Sequence, residues 1–201
     1  MSKSPRWKHG TEPAHAADPE PSPSPSEPPT TVAQEEPKAR RLYPAAPDVK
    51  PAAVVVYCSD PRFQVAFGEF IQHELGLGAG EFIPIVVGGG AGVLGHPELL
   101  PKEFKFLKER LESYSRIFPT ARRIVLINHE DCRYYQQLKS KTLSFLGSRL
   151  APSPEHARED LSLVARAMQM FLSHLGYTID FYYAKFTDPG HTRIEIEKVD
   201  A

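Results

Sequence analysis

Ala52-Ala-Val-Val-Val-Tyr-Cys-Ser-Asp-Pro-Arg62 is an apolar, β-branched run that stops abruptly at a cysteine and a charged pair. Such a run reads as a strand buried on both faces, the kind that sits inside a parallel sheet. Seventy positions on, Arg122-Arg-Ile-Val-Leu-Ile-Asn-His-Glu-Asp-Cys132 repeats the design: an apolar strand that runs straight into polar, metal-competent side chains. Between the two, Phe63 to Leu75 places Phe63, Phe67, Phe70, Ile71 and Leu75 near helical spacing, with Gly76 as a stop. Glu81 to Val87 reads as another buried strand, in which Pro84 points to an edge position.

A glycine-rich loop covers Gly88 to Gly95. Leu100 to Tyr114 is an amphipathic helix with Phe104, Leu107, Leu111 and Tyr114 on one face. A shorter helix is expected from Cys132 through Leu146, and a long one over Glu155 to Leu175 with Pro154 in its first turn. Tyr177 to Phe186 and Thr192 to Val199 read as two strands joined by the turn Thr187-Asp-Pro-Gly190. Strands alternating with helices predict an α/β fold: a mostly parallel central sheet flanked by helices, with one antiparallel edge.

Ligands of open α/β sheets gather beyond the carboxyl ends of the strands. If the strands ending at Cys58 and His129 are neighbours, Cys58, His129 and Cys132 meet at one point. One imidazole and two thiolates suit a borderline-soft ion such as zinc, and three protein ligands leave a fourth tetrahedral position free. The alternative is that each cysteine is a small buried hydrophobe and His129 a polar strand end. A dedicated dithiol redox site is disfavoured, because the two cysteines lie far apart in sequence with no Cys-x-x-Cys pair.

Cys58-Ser-Asp-Pro-Arg62 and His129-Glu-Asp-Cys132 resemble the two signature segments of the β-class carbonic anhydrases, and the likeness spans roughly residues 50 to 199. The resemblance implies a β-carbonic anhydrase-like fold and a zinc ion, Zn2+, held by Cys58, His129 and Cys132. It implies Asp60 and Arg62 as the catalytic pair. In one family arrangement Asp60 pairs with Arg62 and accepts a hydrogen bond from the metal's water; in the other Asp60 is itself a ligand. The implied activity is the reversible hydration of CO2 to bicarbonate. The alternatives are a zinc-binding protein with a structural or interaction role, or action on CS2 or COS. A homodimer is implied as well.

Where the family usually carries Arg-Asn-Ala-Gly, this chain has Gly89-Gly90-Ala91-Gly92, and Arg133 stands where a glycine usually follows the second cysteine. Gly90-Ala-Gly92-Val-Leu-Gly95 also fits the dinucleotide pattern G-x-G-x-x-G, but it follows the second strand, and Pro97 and Pro101 interrupt the helix that should begin inside it. His73, His96, His156, His174 and His191 lack a paired ligand at useful spacing. Glu130 and Asp131 are read either as hydrogen-bond acceptors around the ligands or as a solvated loop. Phe181-Tyr-Tyr183 is expected in the core.

Residues 1–47 form a different block. Asp18-Pro-Glu-Pro-Ser-Pro-Ser-Pro-Ser-Glu-Pro-Pro29 alternates proline with small or acidic residues, the composition of a disordered, partly polyproline-II tail. The α/β domain is expected over residues 48–201. A net charge of −1 with no basic cluster argues against a nucleic-acid partner. The absence of a spanning apolar stretch argues against a membrane, and the lack of an export signal makes a cytoplasmic setting the expectation.

Overall fold

The computed structural model describes residues 42–43, 45, 48–142 and 157–200. The proline-rich tail and the segment before the last helix lie outside the described residues. Five strands form one sheet: β1 (Ala53–Cys58), β2 (Phe82–Val87), β3 (Arg123–His129), β4 (Thr178–Phe186) and β5 (Ile194–Val199). Their order is β2-β1-β3-β4-β5. The first four run parallel, and β5 closes the sheet antiparallel to β4. Pro84, which cannot donate to a ladder, lies on the edge strand β2, opposite Val55.

The alternation of side chains across the sheet builds two cores. Val54, Val56, Ile124 and Leu126 face one layer, with Leu107 and Leu111 of α2 (Pro101–Ile117) and Leu161, Val164 and Met168 of a helix over Asp160–Leu172. Ala53, Val55, Val125 and Ile127 face the other, under Phe63, Phe67 and Ile71. Phe67 belongs to α1 (Gln64–Glu69), which widens into a π-helical stretch over Phe70–Glu74 and ends before Gly76 at φ +65°. Phe181 and Tyr183 face the first core and Tyr182 the second, as expected of a buried aromatic strand.

The helix after β3, α3, covers Arg133–Thr142, so the remainder expected through Leu146 lies outside the described residues. The long helix is shorter than its periodicity predicts. Residues 157–159 form a turn and α4 begins at Asp160, while Pro154 to His156 lie outside the described residues. A tertiary contact supplies the reason. The Ala157 carbonyl, which a helix would bond to Leu161, accepts from Asn128 Nδ2 at 2.5 Å, and Leu161 N–H donates to Arg158 O instead.

The far side of the sheet is stitched by Asp180 on β4. Its carboxylate accepts from Arg123 Nε of β3 at 2.7 Å and lies 2.8 Å from Lys198 Nζ of β5. Burial raises the Asp180 carboxyl, but the bonds from Lys198 and Arg123 outweigh it and hold it below the ordinary value. A depressed carboxylate contributes stability above the unfolded value of about 3.9 and loses it as pH falls through the folded one. Asp180→Asn is therefore expected to cost about 1 kcal/mol at pH 7, given partners that are partly solvated. Urea midpoints should show that gap narrowing below about pH 4; a gap independent of pH would contradict the assignment.

Candidate metal centre

The ends of β1 and β3 are adjacent in the sheet, so the two polar segments meet. From Cys58 the chain turns through Ser59 and Asp60 into a 3-10 turn, Pro61–Phe63, capped by the Asp60 side chain, which accepts from Arg62 N–H at 3.1 Å. Gln64 Nε2 pins this exit by donating to Cys58 O at 2.8 Å and Asp60 O at 2.9 Å. On the other strand, Glu130 N–H donates to Ala184 O at 2.9 Å, and the Glu130 carboxylate accepts from the Phe186 N–H. Asp131 then turns in the left-handed region at φ +50°, and Cys132 leads into α3, its carbonyl accepting from Gln136 N at 3.0 Å.

One ligand atom from each of Cys58, His129 and Cys132 lies within 4.8 Å of the others, and all three residues are buried. The sulfurs are 3.8 Å apart, far beyond the roughly 2.05 Å of a disulfide, and both thiols are free. Two sulfurs each about 2.3 Å from one tetrahedral ion stand about 3.8 Å apart.

The imidazole is oriented for the same purpose. His129 Nδ1 lies 2.7 Å from Glu130 O. A carbonyl only accepts, so Nδ1 carries the hydrogen and Nε2 is the nitrogen left to coordinate. That Nε2 is buried and has no hydrogen-bond partner among the described residues. The ring is held by Phe63, 4.2 Å away between centroids, and by Phe67 at 6.3 Å. An orphaned imidazole nitrogen facing two buried thiols is costly unless something coordinates it. The donor set fits zinc.

The two thiols are shifted in opposite directions by their contact. Cys58 is driven well down, first by the hydrogen bond with Cys132, against burial, and then by the neighbouring His129. The same bond and burial drive Cys132 up, opposed by the backbone N–H groups of Tyr135 and Tyr134 at the start of α3. Metal ligation requires both sulfurs as thiolates, so binding an ion would release protons from the pair.

Asp60 lines the same cleft as Cys58 but is not one of the three clustered ligands. Both of its oxygens are taken by Arg62, Nε to Oδ1 at 3.1 Å and Nη2 to Oδ2 at 2.8 Å, the side-on fork expected of a guanidinium and a carboxylate. Burial raises the Asp60 carboxyl, and the Arg62 bonds outweigh it, so it lies below the ordinary carboxylate range. Arg62 is raised in turn, chiefly by Asp60 and also by Asp131. A cleft of about 270 Å³ reaches the site, walled by Cys58, Asp60, Pro61, Gly88, Arg133 and Tyr134.

The G-x-G-x-x-G loop does not form a phosphate cradle. Gly90–Gly95 makes 3-10 turns whose residues from Gly90 to Leu94 are buried. A Cβ at Gly90 would lie 3.0 Å from Cys58 N and 3.1 Å from Ile127 O, so the loop packs onto the strand ends beside the site. His73, His174 and His191 are exposed, and His156 lies outside the described residues. His96 lies 3.0 Å from Asp160, away from the cluster.

Two contacts were not legible in the sequence. Asp131 accepts from Arg62 Nη1 at 2.7 Å, across 69 positions, and fully buried Tyr135 packs against the glycine loop.

No protein-family model matches the chain, and no curated protein matches it. Among solved structures it is similar to a carbonic anhydrase from Streptococcus mutans (20% identity, 76% of this chain and 83% of that one, TM-score 0.43). It is also similar to β-carbonic anhydrase isoform I from Trichomonas vaginalis (18% identity, 79% and 87%, TM-score 0.43). A third is a β-carbonic anhydrase of Aspergillus fumigatus (15% identity, 76% and 76%, TM-score 0.40).

Proposed function

We propose that this chain holds zinc through Cys58, His129 and Cys132 and catalyses the reversible hydration of CO2 to bicarbonate, with Asp60 and Arg62 as the catalytic pair. One observation carries the reading. Three ligand atoms lie within 4.8 Å of one another while the nearby carboxylate of Asp60 is engaged on both oxygens by Arg62. Three protein ligands with a neighbouring acceptor kept out of the set is the layout of an open, catalytic site, whereas four protein ligands would close it.

When bound, zinc supplies a water acidified to near neutrality, the nucleophile that hydration of CO2 requires. The chain's own residues do the rest. Asp60, kept ionised by Arg62, accepts a hydrogen bond at the cleft floor and sets the direction in which a nucleophile presents its lone pair. Arg62 neutralises the carboxylate and fixes its plane, so orientation is set before substrate arrives. Pro61, Gly88 and the ring of Tyr134 give the cleft a largely apolar wall, suited to a small uncharged substrate. The reaction, CO2 and water to bicarbonate and a proton, balances without any other reactant.

The test is stopped-flow CO2 hydration on zinc-loaded protein beside Asp60→Asn. The variant should keep its zinc, since Asp60 lies outside the ligand set, and lose about 10²-fold or more in kcat. Loss of zinc from Asp60→Asn would make Asp60 a ligand, and a wild-type rate no faster than buffer would sink the hydratase reading.

A further inference from the structure

We infer that Asp131 is a positioning residue of this metal site: through Arg62 it ties the exit of β1 to the exit of β3, holding Cys58 at chelating distance from His129 and Cys132. The inference rests on the zinc reading above and adds a residue to it.

The direct ladder between β1 and β3 does not reach as far as the ligands. Pairing between β1 and β3 ends at Val56 opposite Leu126, two residues before Cys58 and three before His129. Beyond that point each strand runs on against its outer neighbour, β1 beside β2 to Cys58 and β3 beside β4 to His129, and the two exits need a tie of their own. The Arg62 guanidinium spans the gap. On one side its Nε and Nη2 take the two oxygens of Asp60. On the other, Nη1 donates to Asp131 Oδ2 at 2.7 Å and Nη2 to Asp131 O at 2.6 Å. A planar fork with fixed donor directions transmits position in a way a lysine would not.

Asp131 is itself fastened. Its other oxygen, Oδ1, accepts from Gln136 Nε2 on the first turn and a half of α3, so the carboxylate is gripped by Arg62 and by the helix that starts at Cys132. The guanidinium is further confined by rings: Arg62 Cζ lies 5.5 Å from the Phe186 centroid and 5.9 Å from that of Phe63. Phe63 in turn packs against His129, the two rings tilted by 41°. One side chain thus touches the surroundings of every proposed ligand, and Asp131 decides where that side chain sits.

A bland role competes with this one. Asp131 has φ +50°, a conformation that Asp, Asn and Gly tolerate best, and on this reading it serves the turn alone. The two roles separate on Asp131→Gly. Glycine suits the left-handed backbone better than aspartate and deletes the carboxylate, so a turn residue would lose nothing by it.

The experiment loads the full chain with zinc and follows transfer to a chromophoric chelator, with thermal unfolding of the metal-free protein measured alongside. Asp131→Gly is expected to release zinc about tenfold faster or more, the usual consequence of removing a partner that orients ligands. Its metal-free melting temperature should be unchanged or raised. Asp131→Asn, which keeps an acceptor oxygen for Arg62, should recover part of the retention. In cobalt-substituted protein the thiolate-to-metal absorption should shift in Asp131→Gly. Zinc release at the wild-type rate, or release that only tracks loss of the fold, would overturn the inference. If the wild type takes up no zinc, the metal reading falls and the inference with it; if it does and Asp131→Gly matches it, only the inference falls.

Discussion

Cys58→Ser is expected to empty the metal site while leaving the fold in place. The substitution changes one buried atom, but a hydroxyl does not deprotonate near neutral pH and is a poor ligand for a borderline-soft ion. Zinc binding at sites of this type totals roughly 10–16 kcal/mol, so one of three protein ligands carries on the order of 4 kcal/mol, about 10³-fold in affinity. After dialysis against a mild chelator the variant should hold no zinc and show no CO2 hydration above buffer. The buried hydroxyl itself costs about 1–3 kcal/mol, so circular dichroism should still report a folded chain. Stoichiometric zinc in Cys58→Ser would remove Cys58 from the ligand set.

Gly90→Val should have the largest effect on stability. Gly90 sits at φ +55°, and a Cβ there would press on backbone atoms, Cys58 N at 3.0 Å and Ile127 O at 3.1 Å. Neither neighbour is a side chain that can swing aside. A left-handed β-branched residue costs about 1–2 kcal/mol in its own backbone, and overpacking a filled site about 1–3 more. The sum, about 3 kcal/mol, is a large share of the 5–15 kcal/mol typical of a domain. Denaturant melts should show it, and because the crowded atoms flank Cys58, zinc affinity should fall in the same variant. A midpoint within 0.5 kcal/mol of wild type, roughly what surface substitutions give, would mean the loop is looser than described.

How much of this was written in the sequence depends on the range of each interaction. The β-branched runs from Ala52 and Arg122 announce buried strands because burial on both faces admits little else. Their abrupt change to Cys58-Ser-Asp-Pro-Arg62 and His129-Glu-Asp-Cys132 announces the site, because strand ends are where an α/β sheet exposes side chains together. What remained conditional was the adjacency of the two strands, and that is set by the whole sheet order.

Other features depend on single long-range contacts and leave no periodic trace. Asn128 takes the Ala157 carbonyl and so delays α4 to Asp160, overriding the helical pattern expected from Glu155. Asp131 had two readings in sequence, acceptor or solvated loop, and its bond to Arg62 could not be found without knowing that the two exits face each other. The G-x-G-x-x-G pattern is a case of the right residues for another reason. Its glycines permit close packing of backbone on backbone, with Gly90 against Cys58 and Ile127, rather than approach to a phosphate.

The central claim is that Cys58, His129 and Cys132 form one metal centre with a position left free. X-ray absorption at the zinc edge, on protein purified without added metal and with its zinc content measured, tests it most directly. The expected result is one zinc per chain, with two sulfurs at about 2.3 Å, one nitrogen at about 2.0 Å and one further light atom that exchanges with added anions. Protein that carries no zinc, or zinc whose shell contains no sulfur, would contradict it.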